Sequence, residues 1–267
     1  MSEPATLNGL KDQADGPREL FGQSPPPVHV VCCPSRPSLA LSLVSELSQS
    51  LVSLDRTVMW VDEIDFANRE QWPLPCKVKF DLSKTLQGVV DLDHSVTPLK
   101  PTLWYGLSLH TGRIQDGVQT LSDRLMRSGV EFDTIIVSTA ALKAESFKHY
   151  GARIHCTALT GCEPAELNQT FEWLAQTQDQ TPVASWGLVL AGEAGTSENS
   201  VAWAEEKVQS NVGSKVKVLG HIDTSVAKLS LNSGWNRWPE LTAKLTNHLL
   251  IHSVSYTHLT LPTKRIV

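Results

Sequence analysis

The chain reads as an α/β protein built on a mostly parallel β-sheet with helices on both faces. Two observations predict this. Short apolar, β-branched runs recur at residues 28–33, 57–62, 132–138, 154–159, 183–190 and 215–219. Helix-patterned stretches alternate with most of them, and strands alternating with helices form sheets that are covered on both sides. A chain of 267 residues with 41% hydrophobic content is enough for one such domain with a sizeable core.

Taken in order, residues 1–27 form a polar N-terminal arm that ends in Ser24-Pro25-Pro26-Pro27, a stiff extended linker. By composition the arm is a solvated tail tethered to a body at residues 28–251. The body opens with a strand over 28–33. Pro37 suits the first turn of a helix, and Leu39, Leu43, Leu47 and Leu51 recur every four residues behind it, with Val44 beside them. Residues 57–62 form a second buried strand ending in the carboxylate of Asp62. The carboxyl ends of strands carry the site in open α/β sheets, although a carboxylate there also caps turns.

Residues 66–112 are less patterned. Lys77-Val78-Lys79-Phe80 alternates as a strand does, and 102–109 is strand-like. His94 and His110 lie in this stretch without ligand spacing and read as surface or loop residues. A helix over 114–127 carries Val118, Leu121 and Leu125, and the buried strand 132–138 follows. After the strand at 154–159, a helix over 163–177 has Pro164 near its start and Leu167, Phe171 and Leu174 on one face. Further helices are expected over 197–209 and 239–250. In the last, Leu241, Leu245 and Leu249 line one face, suited to packing on the sheet or to lying on a bilayer. No internal repeat is visible. Residues 252–267 break the pattern and look like translated adapter or vector sequence. They are excluded from the fold, and the natural C-terminus, with any membrane anchor beyond it, is expected to be missing.

A net charge of −5 and a pI near 6.0 argue against a general nucleic-acid binder. Cys32, Cys33, Cys76, Cys156 and Cys162 form no C-x-x-C pair, so no zinc site is expected. They read as free thiols of a reducing cytoplasm. His149, His155, His221 and His248 are scattered without metal spacing. Trp235 and Trp238 are the one close tryptophan pair, placed for loop packing or for stacking on a partner. No signal peptide is visible, and no apolar run approaches the ~20 residues needed to span a bilayer.

Four landmarks, in order, resemble the MinD/ParA class of P-loop ATPases, and within it the flagellar-number regulator branch (FlhG/FleN). The first is Asp12-Gln13-Ala14 with Arg18 and Leu20, similar to that branch's N-terminal Asp-Gln-Ala-x-x-Leu-Arg motif. The second is the strand ending in Asp62, followed by Phe66-Ala67-Asn68. The third is Phe132-Asp133-Thr134-Ile135-Ile136-Val137-Ser138-Thr139-Ala140-Ala141, similar to Tyr-Asp-x-x-x-Ile-Asp-Thr-Ala-Ala. The fourth is Cys162-Glu163-Pro164-Ala165-Glu166-Leu167, similar to a strand-end Glu-Pro-Thr-Ser-Ile. The resemblance implies a P-loop NTPase architecture. It also implies an arm that docks on a signal-recognition-particle-type GTPase (FlhF-like), with Gln13 assisting GTP hydrolysis there and Asp12 and Arg18 as supporting contacts. Pro17 stands where the motif has leucine, so a helix through the whole arm motif is not expected.

The class motif in the first turn, Gly-Lys-Gly-Gly-Val-Gly-Lys-Ser/Thr, curls backbone N–H groups around phosphates, neutralises them with two lysines and binds Mg²⁺ through a hydroxyl. This chain has Cys32-Cys33-Pro34-Ser35-Arg36-Pro37-Ser38, about four residues shorter and without glycine. No lysine occurs between Lys11 and Lys77. Pro34 and Pro37 each remove a backbone donor, and Ser138 replaces a metal-contacting Asp. Asp62 is the residual carboxylate of the metal and water site, and Ser35, Arg36 and Ser38 are the remnant of the phosphate loop.

The expectation is therefore a pseudo-ATPase, with no cofactor unless ATP and Mg²⁺ still bind the degenerate loop. It would act through protein binding in the cytoplasm or at the inner membrane or cell pole. Two alternatives stay open: an active ATPase in which Arg36 works with Ser35 or Ser38, and a cell-division or polar-assembly scaffold of the same fold. Class members dimerise face to face across two nucleotides through a lysine absent here, so a monomer or a differently built dimer is expected.

Overall fold

The computed structural model describes residues 25–69, 74–109, 120–128, 130–140, 149–150, 153–178, 183–193, 197–212, 216–224 and 238–253. Among them, eight strands form one sheet: β1 (Val28–Cys32), β2 (Val58–Asp62), β3 (Thr97–Lys100), β4 (Leu103–Leu107), β5 (Thr134–Thr139), β6 (Ile154–Gly161), β7 (Val183–Gly192) and β8 (Val216–Asp223). Their spatial order is β3-β4-β2-β5-β1-β6-β7-β8. All neighbours run parallel except β3, which pairs antiparallel with β4 at the edge.

The helices are α1 (Pro37–Ser53), α2 (Leu82–Leu86), α3 (Leu92–Ser95), α4 (Leu121–Arg127), α5 (Pro164–Gln178), α6 (Ser197–Lys207) and α7 (Pro239–Ser253). Alternation along each strand divides the core in two. Val28, Val30 and Cys32 of β1 face a layer containing Leu121 and Leu125 of α4, Leu167, Phe171 and Leu174 of α5, and Ala204 of α6. Val31 and Cys33 face the other layer, where Leu39, Leu43, Leu47 and Leu51 of α1 meet Leu241, Leu245 and Leu249 of α7. The leucine face of α7 is thus core-facing, and Trp238 is buried in the same layer with its indole N–H on the Asp223 carbonyl (3.3 Å). Trp235 lies outside the described residues.

Three local expectations are corrected. Residues 77–80 are not a strand but irregular chain with bends, and Phe80 is exposed. Their alternation has no neighbouring strand to pair with. Two short helices and a strand fill the stretch after it, started by Asp81, which accepts the Ser83 N–H (2.8 Å), and by Asp91 before α3. The helix expected over 197–209 ends at Lys207 and continues as a π-helical turn, Val208–Val212. The described part of the 114–127 helix begins at Leu121, behind a capping box between Thr120 and Asp123. Its N-terminal half, and His110, lie outside the described residues. So do the arm through Ser24 and residues 254–267, while α7 runs through Ser253.

No described helix is long and apolar enough to cross a membrane. Cys32, Cys33 and Cys156 are buried, and Cys76 and Cys162 are partly so. His155 stacks on His29 of the adjacent strand at 5.0 Å and shares a 2.7 Å hydrogen bond with Ser185.

Candidate functional site at the carboxyl edge of the sheet

The chain leaves β1 through α1 toward β2, on the β5 side. It leaves β6 through α5 toward β7, on the other side. The divergence marks the carboxyl ends of β1 and β6 as the topological switch point, the place where open α/β sheets hold ligands. The turn read from the sequence as a remnant phosphate loop sits there. It is four residues long, Cys33, Pro34, Ser35 and Arg36, because β1 ends at Cys32 and α1 begins at Pro37.

Part of its backbone is tied into the fold. The Cys33 N–H bonds to the Thr139 carbonyl (3.3 Å), and the Leu39 N–H turns back to the Arg36 carbonyl (2.9 Å). Pro37, first in α1, has no N–H to offer. Ser35 is exposed at the tip, and Ser38 is buried in the first turn of α1.

Arg36 is half-exposed and turned along the strand ends. Its guanidinium reaches across β6, donates to the Ala191 carbonyl at the end of β7 (3.3 Å) and pairs with Glu166 in the first turn of α5 (3.7 Å). Gly161, the last residue of β6, makes room for this. A Cβ there would collide with the Glu166 carboxylate and lie 3.0 Å from the Arg36 guanidinium. Glu166 therefore stands beside the one cation of the turn.

The second cluster lies at the ends of β2, β4 and β5. Asp62 is wholly buried, and both carboxylate oxygens are engaged. One accepts from the Arg69 guanidinium (2.6 Å) and the Tyr105 hydroxyl (2.7 Å). The other accepts the Ile64 N–H (3.0 Å) and lies 3.3 Å from the Ser138 hydroxyl. Ser138 in turn accepts the Trp60 indole N–H (3.0 Å). Arg69 is itself buried and also donates to the Ile64 carbonyl (3.2 Å). Burial, with the Asp62 charge next to it, pushes the Tyr105 phenol well above its ordinary range, so it stays a donor. Beside the cluster, the Glu63 N–H bonds to the Ser138 carbonyl (2.8 Å), and its carboxylate accepts from the Tyr150 hydroxyl.

The structure thus brings Asp62 together with Ser138, and Arg36 with the strand ends, as their positions in the sequence imply. Arg69, Tyr105, Trp60 and Glu166 were not singled out as site residues. Trp60 lies in β2 two residues before Asp62 and Arg69 seven residues after it, whereas Tyr105 and Glu166 lie in other elements and reach the site only by contact across the fold. Asp12, Gln13 and Arg18 lie outside the described residues. Among the described residues, one trio has ligand atoms close enough for a metal: Asp91, Asp93 and His94. All three are exposed, and the His94 Nδ1 lies 2.9 Å from the Asp93 carboxylate.

Solved structures with the same strand arrangement span nearly their whole length on this chain. MinD of Aquifex aeolicus matches with a TM-score of 0.56 at 13% identity, covering 86% of this chain and 98% of that one. The chain has the MinD/ParA-type P-loop NTPase fold. The ATP complex of McdA from Cyanothece matches this fold at a TM-score of 0.58 and 14% identity, over 90% of this chain and 100% of that one. The Mg-ADP complex of septum site-determining MinD from Pyrococcus horikoshii matches at 0.54 and 16%, over 86% and 99%. No protein-family model matches the chain, and no curated protein sequence does. The MinD/ParA fold therefore rests on shape, at identities where sequence alone carries little.

Proposed function

We propose that this chain is a regulator of flagellar number and placement, related to the FlhG/FleN branch, that keeps the MinD/ParA fold without its nucleotide chemistry. It acts through protein binding, with Gln13, Asp12 and Arg18 of the arm engaging an SRP-type GTPase.

The observation that carries the pseudo-ATPase reading is the four-residue turn with Arg36 committed to Glu166 and Ala191. A phosphate nest needs several convergent N–H groups and a positive charge aimed at the ligand. Here Pro34 and Pro37 have no N–H, that of Leu39 is spent on the chain itself, and an incoming phosphate would have to displace a carboxylate from the arginine. The residues at this edge do not fit Mg²⁺ with a nucleotide. The position that resembles a metal-contacting Asp is Ser138, and Asp62 is already neutralised by Arg69. The flagellar assignment is supported by the order of the four sequence landmarks, not by the fold, which division and partition ATPases share.

Calorimetry with Mg²⁺-ATP and Mg²⁺-ADP on the full chain tests the reading. No binding up to millimolar nucleotide is expected. Each lost charge-assisted contact costs about 1.5–3 kcal/mol, so several together exceed the roughly 8 kcal/mol of a micromolar complex. Micromolar binding would overturn the pseudo-ATPase reading in favour of an ATPase with a rebuilt loop. A pull-down with the SRP-type GTPase, comparing wild type with Gln13→Ala, tests the arm. Retention unaffected by the substitution would count against Gln13 as the contact.

A further inference from the structure

We infer that Arg69 is the resident cation of the Asp62 pocket, a built-in guanidinium that holds the place of a divalent metal at the end of β2. The pocket is lined by oxygens: both carboxylate oxygens of Asp62, the Tyr105 and Ser138 hydroxyls and the Ile64 carbonyl. The Arg69 guanidinium lies between two of them, 2.6 Å from Asp62 and 3.2 Å from the Ile64 carbonyl. Hard divalent cations select oxygen sets of this kind. Asp62 is 0% and Arg69 5% exposed as side chains, so water does not neutralise the carboxylate. A buried charge without a partner is expensive, and the guanidinium supplies that partner through the chain itself.

The neighbouring residues are consistent with this division of charge. A second carboxylate at position 138 would stand at the Asp62 oxygen that Arg69 does not contact, and like charges that close disfavour joint ionisation. Serine instead offers Asp62 a neutral hydroxyl and takes the Trp60 N–H. If the chain is a pseudo-ATPase, as proposed above, Arg69 explains how its edge keeps a buried carboxylate while dispensing with a metal.

The experiment compares wild type with Arg69→Ala by thermal unfolding of the full chain, alone, with millimolar MnCl₂ and with methylguanidinium. The wild type should ignore both additives. Arg69→Ala should lose about 10 °C in melting temperature, as expected for breaking a buried pair in a domain of this size. Either cation should restore a substantial part of that loss, and Asp62→Asn in the same background should abolish the rescue. If Arg69→Ala folds but neither cation raises its melting temperature, the inference is overturned, because the side chain then acts by packing alone.

Should Arg69→Ala fail to fold, the double variant Asp62→Asn/Arg69→Ala decides. Folding of the double variant supports a charge role, and its failure overturns it. The outcome is separable from the pseudo-ATPase reading. Stabilisation of the wild type by Mg²⁺-ATP would end that reading while leaving the Arg69 result to stand or fall on its own cations.

Discussion

Cys33 shows how far the first turn has been absorbed into the core. Its thiol sits under the turn, beside the Ser35 hydroxyl at 4.0 Å, with its N–H on β5. Burial pushes the thiol up to about 11, against a partial pull downward from the backbone at Arg36. In an unfolded chain it titrates near 8.5, at roughly ordinary reactivity. A thiol held above its ordinary range favours the neutral form. Its contribution is therefore complete below about pH 8.5 and is lost as pH climbs toward 11. Cys33→Ala should remove about 1–3 kcal/mol of the stability lost between about pH 8 and pH 10.5. Urea unfolding of both proteins at the two pH values measures this, because any cavity left by the substitution cancels between them. An alkaline loss of equal size in both proteins would show that the thiol does not ionise on unfolding.

At the scale of elements, the long ones were legible because their signals are local. Leu39, Leu43, Leu47 and Leu51 mark α1 by spacing, and Pro37 marks its start to the residue. The β-branched runs mark β1, β2 and β5 in the same way. Helices of four or five residues barely exceed one turn and β3 carries Pro98, so α2, α3 and β3 were missed, although Asp81 and Asp91 ahead of a leucine were readable start signals. The site divides along the same line. Asp62, Ser138 and Arg36 are identified by position at strand ends and in the first turn. Tyr105 and Glu166 reach them across 43 and 130 residues of chain, a distance that no local pattern spans. The legibility of α1 also makes its energetics predictable. Leu43 is fully buried in the layer shared with α7, and the Thr246 hydroxyl donates to Ser50 across the two helices (3.1 Å). Leu43→Ala should cost about 2–5 kcal/mol in urea unfolding. A loss below about 1 kcal/mol would mean that α7 and the sheet close the gap.

Across the whole molecule, the remaining question is whether nucleotide governs assembly. In the class that the sequence resembles, two copies close face to face across two nucleotides, so ATP sets the oligomeric state. This chain shares the fold: a mostly parallel sheet with its switch point at the carboxyl edge. Side chains at that edge have partners within the chain, with Asp62 buried and Arg36 half-exposed. Arg36 is tied to Glu166 and Ala191, and Asp62 is tied to Arg69, Tyr105 and Ile64. A ligand can shift an assembly equilibrium only by its differential affinity for the two states. If the chain forms no phosphate contacts, as proposed above, that difference is near zero. Light scattering on the 29.3 kDa chain should therefore give the same mass with and without millimolar Mg²⁺-ATP, across a range of protein concentrations. A mass that doubles only when nucleotide is added would mean that Arg36 leaves Glu166 for a phosphate and that the chain is a switch. A dimer present in both conditions would instead place the interface on another surface.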